Sequence, residues 1–285
     1  MHKKYLIATC TGTLISRSVI ITAGHCAGED KELIFKEVKF LRQTSSGPTP
    51  YLTLPATSKL FTKVDPDEYF LEHRVLKDDE NAYADIALFA LNYSLPVCND
   101  DANDYAVLRL PIANINDSKW IPENGSISDC RMLGFGAYEN GLQGETLRVL
   151  QLSLRDHQTV LYTQALPGQE YGRAYDKQQA IRLESLQYWH LLKFSKAILT
   201  HNIQADSGGP VMCELDNNGP RLIGITSFSF KELYEDRRRC FAERRPMMYD
   251  VYVNVRRVLP VIRSGLEAIG KLDEFIEDFN KCSRQ

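Results

Sequence analysis

The sequence predicts an all-β protein: two antiparallel β-barrels or sandwiches followed by a helical appendage. Three observations lead there. Short apolar runs rich in β-branched residues recur along the chain with turn residues between them. A polar stretch over 92–128, rich in Asn, Asp and Pro, separates two sets of such runs. Only the end of the chain carries a helical period. Many strands followed by one helix point to packed sheets rather than to a βα alternation.

Taken in order, Thr13-Leu14-Ile15-Ser16 and Ser18-Val19-Ile20-Ile21-Thr22 read as strands separated by Arg17. Residues 33–41 alternate loosely and read as another strand, and Ser45-Ser46-Gly47-Pro48-Thr49-Pro50 reads as a loop. Residues 65–68 and 77–81 are acidic and read as solvated loops. Asp85-Ile86-Ala87-Leu88-Phe89-Ala90-Leu91 is almost continuously apolar and reads as a buried strand. Beyond the polar connection, strands are expected at 132–135, 147–154, 222–226 and 251–255, with 167–190 as a long surface insertion. From Val258 to Phe279, apolar residues recur at steps of three and four (Leu259, Ile262, Leu266, Ile269, Leu272, Ile276), which predicts one terminal helix.

Composition narrows the class of function. The chain has 285 residues, 44% of them hydrophobic and 25% charged, which is globular composition. A net charge of -3 argues against nucleic acid as the main partner, because a phosphate-binding face needs a basic excess. No apolar run approaches the ~18 residues of a membrane-spanning helix, so no membrane role is expected. Seven cysteines, none in a Cys-x-x-Cys pair, suit long-range disulfides in an oxidising compartment. Three glycosylation tripeptides, at Asn92, Asn116 and Asn124, lean the same way, toward a secreted glycoprotein. The start, Met1-His2-Lys3-Lys4 followed by 5–8, has the look of a signal peptide. Thr9, Cys10, Thr11 and Gly12 break that stretch, and Cys10 onward reads as mature fold.

Three segments carry reactive chemistry. His25 lies in Thr22-Ala23-Gly24-His25-Cys26 at the end of an apolar strand. Asp85 heads a buried strand. Ser207 lies in Asp206-Ser207-Gly208-Gly209-Pro210. A serine hydroxyl is a poor nucleophile alone. It needs a neutral imidazole to take its proton, and the imidazole needs a carboxylate to fix its tautomer. The glycines after Ser207 allow a tight turn and a close approach of substrate to backbone. Each residue alone reads as a cap, a packed side chain or a turn. In the order His, Asp, Ser they are far more specific. An α/β-hydrolase would need Gly-x-Ser-x-Gly, whereas Ala205-Asp206 precede Ser207.

With these segments in place, the chain resembles a trypsin-like serine protease of the chymotrypsin family. The matching segments are Cys10-Thr11-Gly12-Thr13-Leu14-Ile15-Ser16, 22–26, Asp85-Ile86-Ala87-Leu88, Gly134-Phe135-Gly136, 206–210, Gly224-Ile225-Thr226-Ser227-Phe228 and 251–255. The resemblance covers about 5–263, with insertions near 40–80, 155–195 and 230–246. It implies two antiparallel six-stranded-type β-barrels with a C-terminal α-helix, the first barrel N-terminally truncated. The implied division is 1–110, a connection over 111–128, 129–255, and a helix and tail over 256–285.

The resemblance also implies roles. His25 would be the general base, Asp85 its orienting carboxylate and Ser207 the nucleophile of a serine endopeptidase. Ser227 would support Asp85, and the N–H groups of Ser207 and Ala205 would form the oxyanion hole, with Ala205 where the family has Gly. The substrate pocket would involve His201, Asn202, Ser227, Phe228, Ser229 and Asp250. His201 stands where trypsin-type members carry Asp, and Asp250 stands on a neighbouring wall where Gly is usual. Either the two pair and neutralise each other, or Asp250 receives a basic side chain. Disulfides are implied at Cys10–Cys26 and Cys130–Cys213. Ile203 occupies one end of a further family bridge, which leaves Cys240 without its usual partner, while Cys98 and Cys282 could pair with each other. The implied partners are polypeptide substrates and protein protease inhibitors. No cofactor or metal is called for.

An alternative function and two local features complete the reading. The alternative is a catalytically weak or inactive homologue that acts as a binding protein. The basic run Arg237-Arg238-Arg239 reads as a solvated loop, a polyanion site or a cleavage site. The segment that would supply a freed amine to Asp206 does not occur among residues 1–9, so a precursor fragment or a zymogen-like form is expected.

Overall fold

The structure is a computed structural model that describes residues 6–27, 37–44, 47–55, 59–65, 84–98, 105–118, 120, 125–134, 148–152, 154–156, 160–164, 191–198, 207–215, 219–232 and 247–282. The first part forms strands β1 (Leu6–Ser16) and β2 (Val19–Thr22), a single 3-10 turn (Gly24–Cys26), then β3 (Glu37–Thr44), β4 (Gly47–Pro55), β5 (Leu60–Val64) and β6 (Asp85–Ala90). After the connection come β7 (Ile127–Gly134), β8 (Arg148–Leu152), β9 (Arg155–Asp156), β10 (Val160–Gln164), β11 (Leu191–Ile198), β12 (Pro210–Leu215), β13 (Pro220–Glu232) and β14 (Met247–Asn254). Helices α1 (Val255–Ala268) and α2 (Leu272–Cys282) close the described chain.

The strands make two antiparallel sheets of seven. The orders are β4-β3-β11-β1-β2-β6-β5 and β8-β7-β12-β13-β14-β10-β9. The expectation of mostly β structure followed by a C-terminal helix holds, and among the described residues each sheet carries seven strands and neither ladder closes on itself. The seventh strand of the first sheet is β11. It lies within 129–255 by sequence, yet it pairs with β1 on one side and β3 on the other.

Burial explains the strands that read most clearly. Every residue of β2 and of β6 is buried, so both strands are apolar on both faces rather than alternating. Helix α1 covers β5 and β6. Its Gly265 comes so close to Leu88 and Phe61 that an added Cβ would lie 2.6 Å from each ring or methyl carbon. The reading of 45–50 as a loop is corrected. Gly47–Pro55 is a strand, and its prolines are tolerated because β4 is the sheet edge. The connection is polar in composition, yet it buries Leu108, Leu110, Ile112, Ile115 and Trp120. The 167–190 segment lies outside the described residues.

The single predicted helix is two. Gly270 takes φ 69°. Its N–H donates to the Glu267 carbonyl at 3.0 Å and the Lys271 N–H donates to the Leu266 carbonyl at 2.8 Å. That is a Schellman cap, which ends α1 and releases the chain into α2.

Helix α2 docks on the β1–β2 turn. Arg17 donates its backbone N–H to Asp278 Oδ2 at 2.7 Å, and its guanidinium lies 3.3 Å from Asp278 Oδ1 and also pairs with Glu277. Ser18 Oγ and Ser16 Oγ donate to Glu274 Oε1 at 2.5 and 3.2 Å, and Lys271 donates to Glu274 Oε2 at 2.7 Å. Phe275 packs beside Trp120 with ring centroids 5.6 Å apart. Three disulfides are present: Cys10–Cys26, Cys130–Cys213 and Cys98–Cys282, the last tying the connection to the end of α2. Cys240 lies outside the described residues.

The acids on α2 titrate in opposite directions. Burial pushes the Asp278 carboxyl above its ordinary value. Burial acts the same way on Glu274, but hydrogen bonds from Lys271 and Ser18 and the charges of Lys271 and Arg17 hold it below. For Asp278 the folded state binds its proton more tightly than the unfolded chain does. Its contribution to stability is therefore fully present below the unfolded value of about 3.9 and falls as pH rises through the folded one. Arg17→Met removes the cation that offsets this cost. It should destabilise by about 3 kcal/mol at neutral pH, the low end for stranding a buried charge. The loss should shrink as pH falls, because Asp278 takes up its proton at a higher pH than an ordinary Asp does. Urea unfolding at neutral and at acidic pH checks this, and an equal loss at each would refute it.

Candidate active site

His25 is placed by what surrounds the 3-10 turn. Ala23 leaves β2 extended, at φ -67° and ψ 141°. Gly24 then passes so near β6 that a Cβ there would sit 2.9 Å from Ile86 N and O. Only glycine allows this approach, and it brings the next residue against the head of β6. The His25 backbone N–H donates to Asp85 Oδ1 at 2.8 Å, and His25 Nδ1 lies 2.7 Å from Asp85 Oδ2. The Cys10–Cys26 bridge anchors the turn from its other end. A crosslink closing a loop of this length stabilises by about 3 kcal/mol.

Asp85 is 1% exposed. Its third donor is Ser227, whose Oγ donates to Oδ2 at 2.5 Å. Ser227 reaches it from a β-bulge. Thr226 pairs with Tyr252 and Phe228 pairs with Val251, so Ser227 is the extra residue in β13 and is turned off the ladder. Burial alone would raise the Asp85 carboxyl. The hydrogen bonds and charge of His25, with the hydroxyl of Ser227, outweigh it and hold Asp85 below its ordinary value. An ionised carboxylate only accepts, so Nδ1 of His25 carries a hydrogen and Nε2 is left as the basic nitrogen. The imidazole is 34% exposed, open to an incoming group.

Ser207 opens the turn before β12. Its carbonyl accepts from the Thr11 N–H at 2.8 Å and lies 3.8 Å from Cys26 Sγ, so this backbone sits against the segment that carries His25. Gly208 has φ 81°, and a Cβ there would lie 2.0 Å from Thr22 Oγ1 and 2.3 Å from the Thr11 carbonyl. No other residue fits. The Gly208 N–H donates to the Thr226 carbonyl at 2.8 Å, and the Thr226 N–H returns a bond to Gly209 at 2.9 Å. The turn is thus held from both sheets at once.

Two supporting residues escaped the sequence reading. Thr22 Oγ1 donates to the Thr11 carbonyl at 2.7 Å, which fixes the strand that in turn holds Ser207. Both threonines are fully buried, and buried hydroxyls in an apolar strand were the available signal. Of the expected pocket, Phe228, Ser229 and Asp250 have their backbones in β13 and β14, with Ser229 opposite Asp250. His201, Asn202, Ala205 and Asp206 lie outside the described residues. Among the described residues no group of three or more His, Cys, Asp or Glu side chains could hold a metal ion. No helix is long and apolar enough to cross a membrane.

The profile of the trypsin family matches residues 2–262. Among solved structures, the protease Anisep from Arthrobacter nicotinovorans is similar at 14% identity, over 94% of this chain and 96% of that one, with a TM-score of 0.40. No curated protein matches. The family match runs from before β1 to the middle of α1 and takes in both sheets and the His25–Asp85 pair. The protein belongs to the trypsin family.

Proposed function

We propose that the protein is a serine endopeptidase whose nucleophile is Ser207, with His25 as general base and Asp85 as its orienting carboxylate. The observation that carries the reading is the buried Asp85, which accepts from the His25 backbone N–H, from His25 Nδ1 and from Ser227 Oγ. In this reading Ser207 Oγ attacks the scissile carbonyl and passes its proton to His25 Nε2. The imidazolium so formed is stabilised by Asp85. The N–H groups of Ser207 and Ala205 hold the oxyanion, each worth on the order of 10²–10³ in rate. His25 then protonates the leaving amine, and water cleaves the acyl-Ser207 ester by the reverse route. The substrates are polypeptides, and protein protease inhibitors are natural partners for the same cleft. Three disulfides support an extracellular setting.

A fluorophosphonate probe tests the mechanism. Ser207→Ala should abolish covalent labelling while leaving thermal unfolding unchanged. His25→Ala should slow labelling by several orders of magnitude, since members of such a unit fail together. A His25→Ala protein that labels like the parent would overturn the assignment. For the pocket, Asp250 supports a preference for Lys or Arg before the scissile bond. Asp250→Gly should weaken that preference in a peptide library more than His201→Ala does. An apolar preference untouched by Asp250→Gly would refute it.

A further inference from the structure

Two of the three glycosylation tripeptides lie in described parts of the connection. The structure separates them from ordinary surface. Asn92, Tyr93 and Ser94 are all exposed, between Leu91 and Leu95, which are buried. Asn116, Asp117 and Ser118 are likewise all exposed, just after the buried Ile115. Each tripeptide is therefore a short protruding turn held at its base by apolar anchors. Neither lies in a strand or helix, so no ladder hydrogen bond must break for an enzyme to engage it. Tyr93 is also 56% exposed, a large hydrophobic side chain standing out in solvent. An aromatic ring so placed is an apolar surface on which the first sugar of a glycan can lie. A folded domain with three disulfides has the chemistry of the compartment where such transfer occurs.

We infer that Asn92 and Asn116 are N-glycosylation sites. The donor is a lipid-pyrophosphate-linked oligosaccharide. The side-chain amide nitrogen of Asn forms a bond to C1 of the first sugar, the C1–oxygen bond breaks, the lipid pyrophosphate leaves, and the amide gives up one proton. Asn92 lies beyond the end of β6 opposite Asp85, and at about 3.3 Å per residue the two are roughly 20 Å apart along the strand.

The test is mapping of the full chain, secreted from cells that carry out N-glycosylation. Enzymatic deglycosylation in heavy-oxygen water turns each occupied Asn into a heavy-labelled Asp. Label at both Asn92 and Asn116 is the expected result, and recovery of either as unmodified Asn in secreted protein overturns the proposal. Ser94→Ala and Ser118→Ala should each remove one step of gel mobility while keeping the Asn. Ser94→Thr, which restores the acceptor tripeptide, should bring the first step back. Loss of the step in both Ser94→Ala and Ser94→Thr would show that folding, not the tripeptide, governs it, and would equally overturn the inference.

Discussion

Asp85→Asn should lower turnover and probe labelling by about four orders of magnitude. The effect follows from the bonds around one buried carboxylate. Asp85 accepts from the His25 backbone, from His25 Nδ1 and from Ser227 Oγ, so all of its neighbours donate. An amide can accept at only one of its two positions. If its oxygen faces His25 Nδ1, its NH₂ meets the backbone N–H, donor against donor. If its NH₂ faces Nδ1, the ring must carry its hydrogen on Nε2, the nitrogen needed as base. The first arrangement strands two donors against each other, so the second is favoured, and in it Nε2 has lost the lone pair that would take the Ser207 proton. The volume of the side chain hardly changes, so the fold should survive, and a matched thermal unfolding curve is the control. Ser227→Ala gives a second, gentler measurement. It removes one donor, should cost far less rate, and leaves Asp85 less strongly held below its ordinary value, because one of the groups that keeps it ionised is gone. Full activity in Asp85→Asn would dismiss the triad.

Cys282→Ser should cost about 5 kcal/mol of stability, the largest effect expected from a change outside the cleft. Cys98 and Cys282 are 184 residues apart, and the loss of denatured-state entropy from a crosslink grows with the logarithm of the loop it closes. The folded helix would stay docked through Phe275, Glu274 and Asp278, so the change acts mainly on the unfolded chain. Urea unfolding gives the magnitude. Hydrogen exchange should show the α2 amides opening first. The change should not be additive with Arg17→Met, since both act on how firmly the same helix is held. A loss below about 1 kcal/mol would show that the unfolded chain is already restrained there.

What could be read from the residues depended on how each element is buried. Strands β2 and β6 were legible because both of their faces are covered, which leaves an unbroken apolar run. Strand β4 was hidden by Pro48 and Pro50, which are turn residues in most settings and are admissible in a strand only at an edge. The break between α1 and α2 was hidden for the opposite reason. Leu266, Ile269, Leu272 and Ile276 keep helical spacing straight through Gly270. The membership of β11 in the first sheet rests on pairing across a long separation, and no local pattern encodes that. In the site, the motifs pointed to His25, Asp85 and Ser207 one by one. They did not reveal that Thr11 and Thr22 brace the Ser207 turn, because these hydroxyls matter only through partners distant in sequence. Arg17 read as a spacer between strands and is in fact the cation on which the acidic face of α2 is seated.

The Cys98–Cys282 bridge also governs what a cut would do. Any break in the chain between these two cysteines leaves both fragments joined by sulfur. The run Arg237-Arg238-Arg239, and Arg244 with Arg245 beyond it, fall inside that span and are cleavable by enzymes that recognise basic residues. A molecule nicked there would keep β14, α1 and α2 tethered to the rest, and would run as one band without reductant and as two with it. Damage at this run would thus stay invisible to size alone until the sulfurs are reduced.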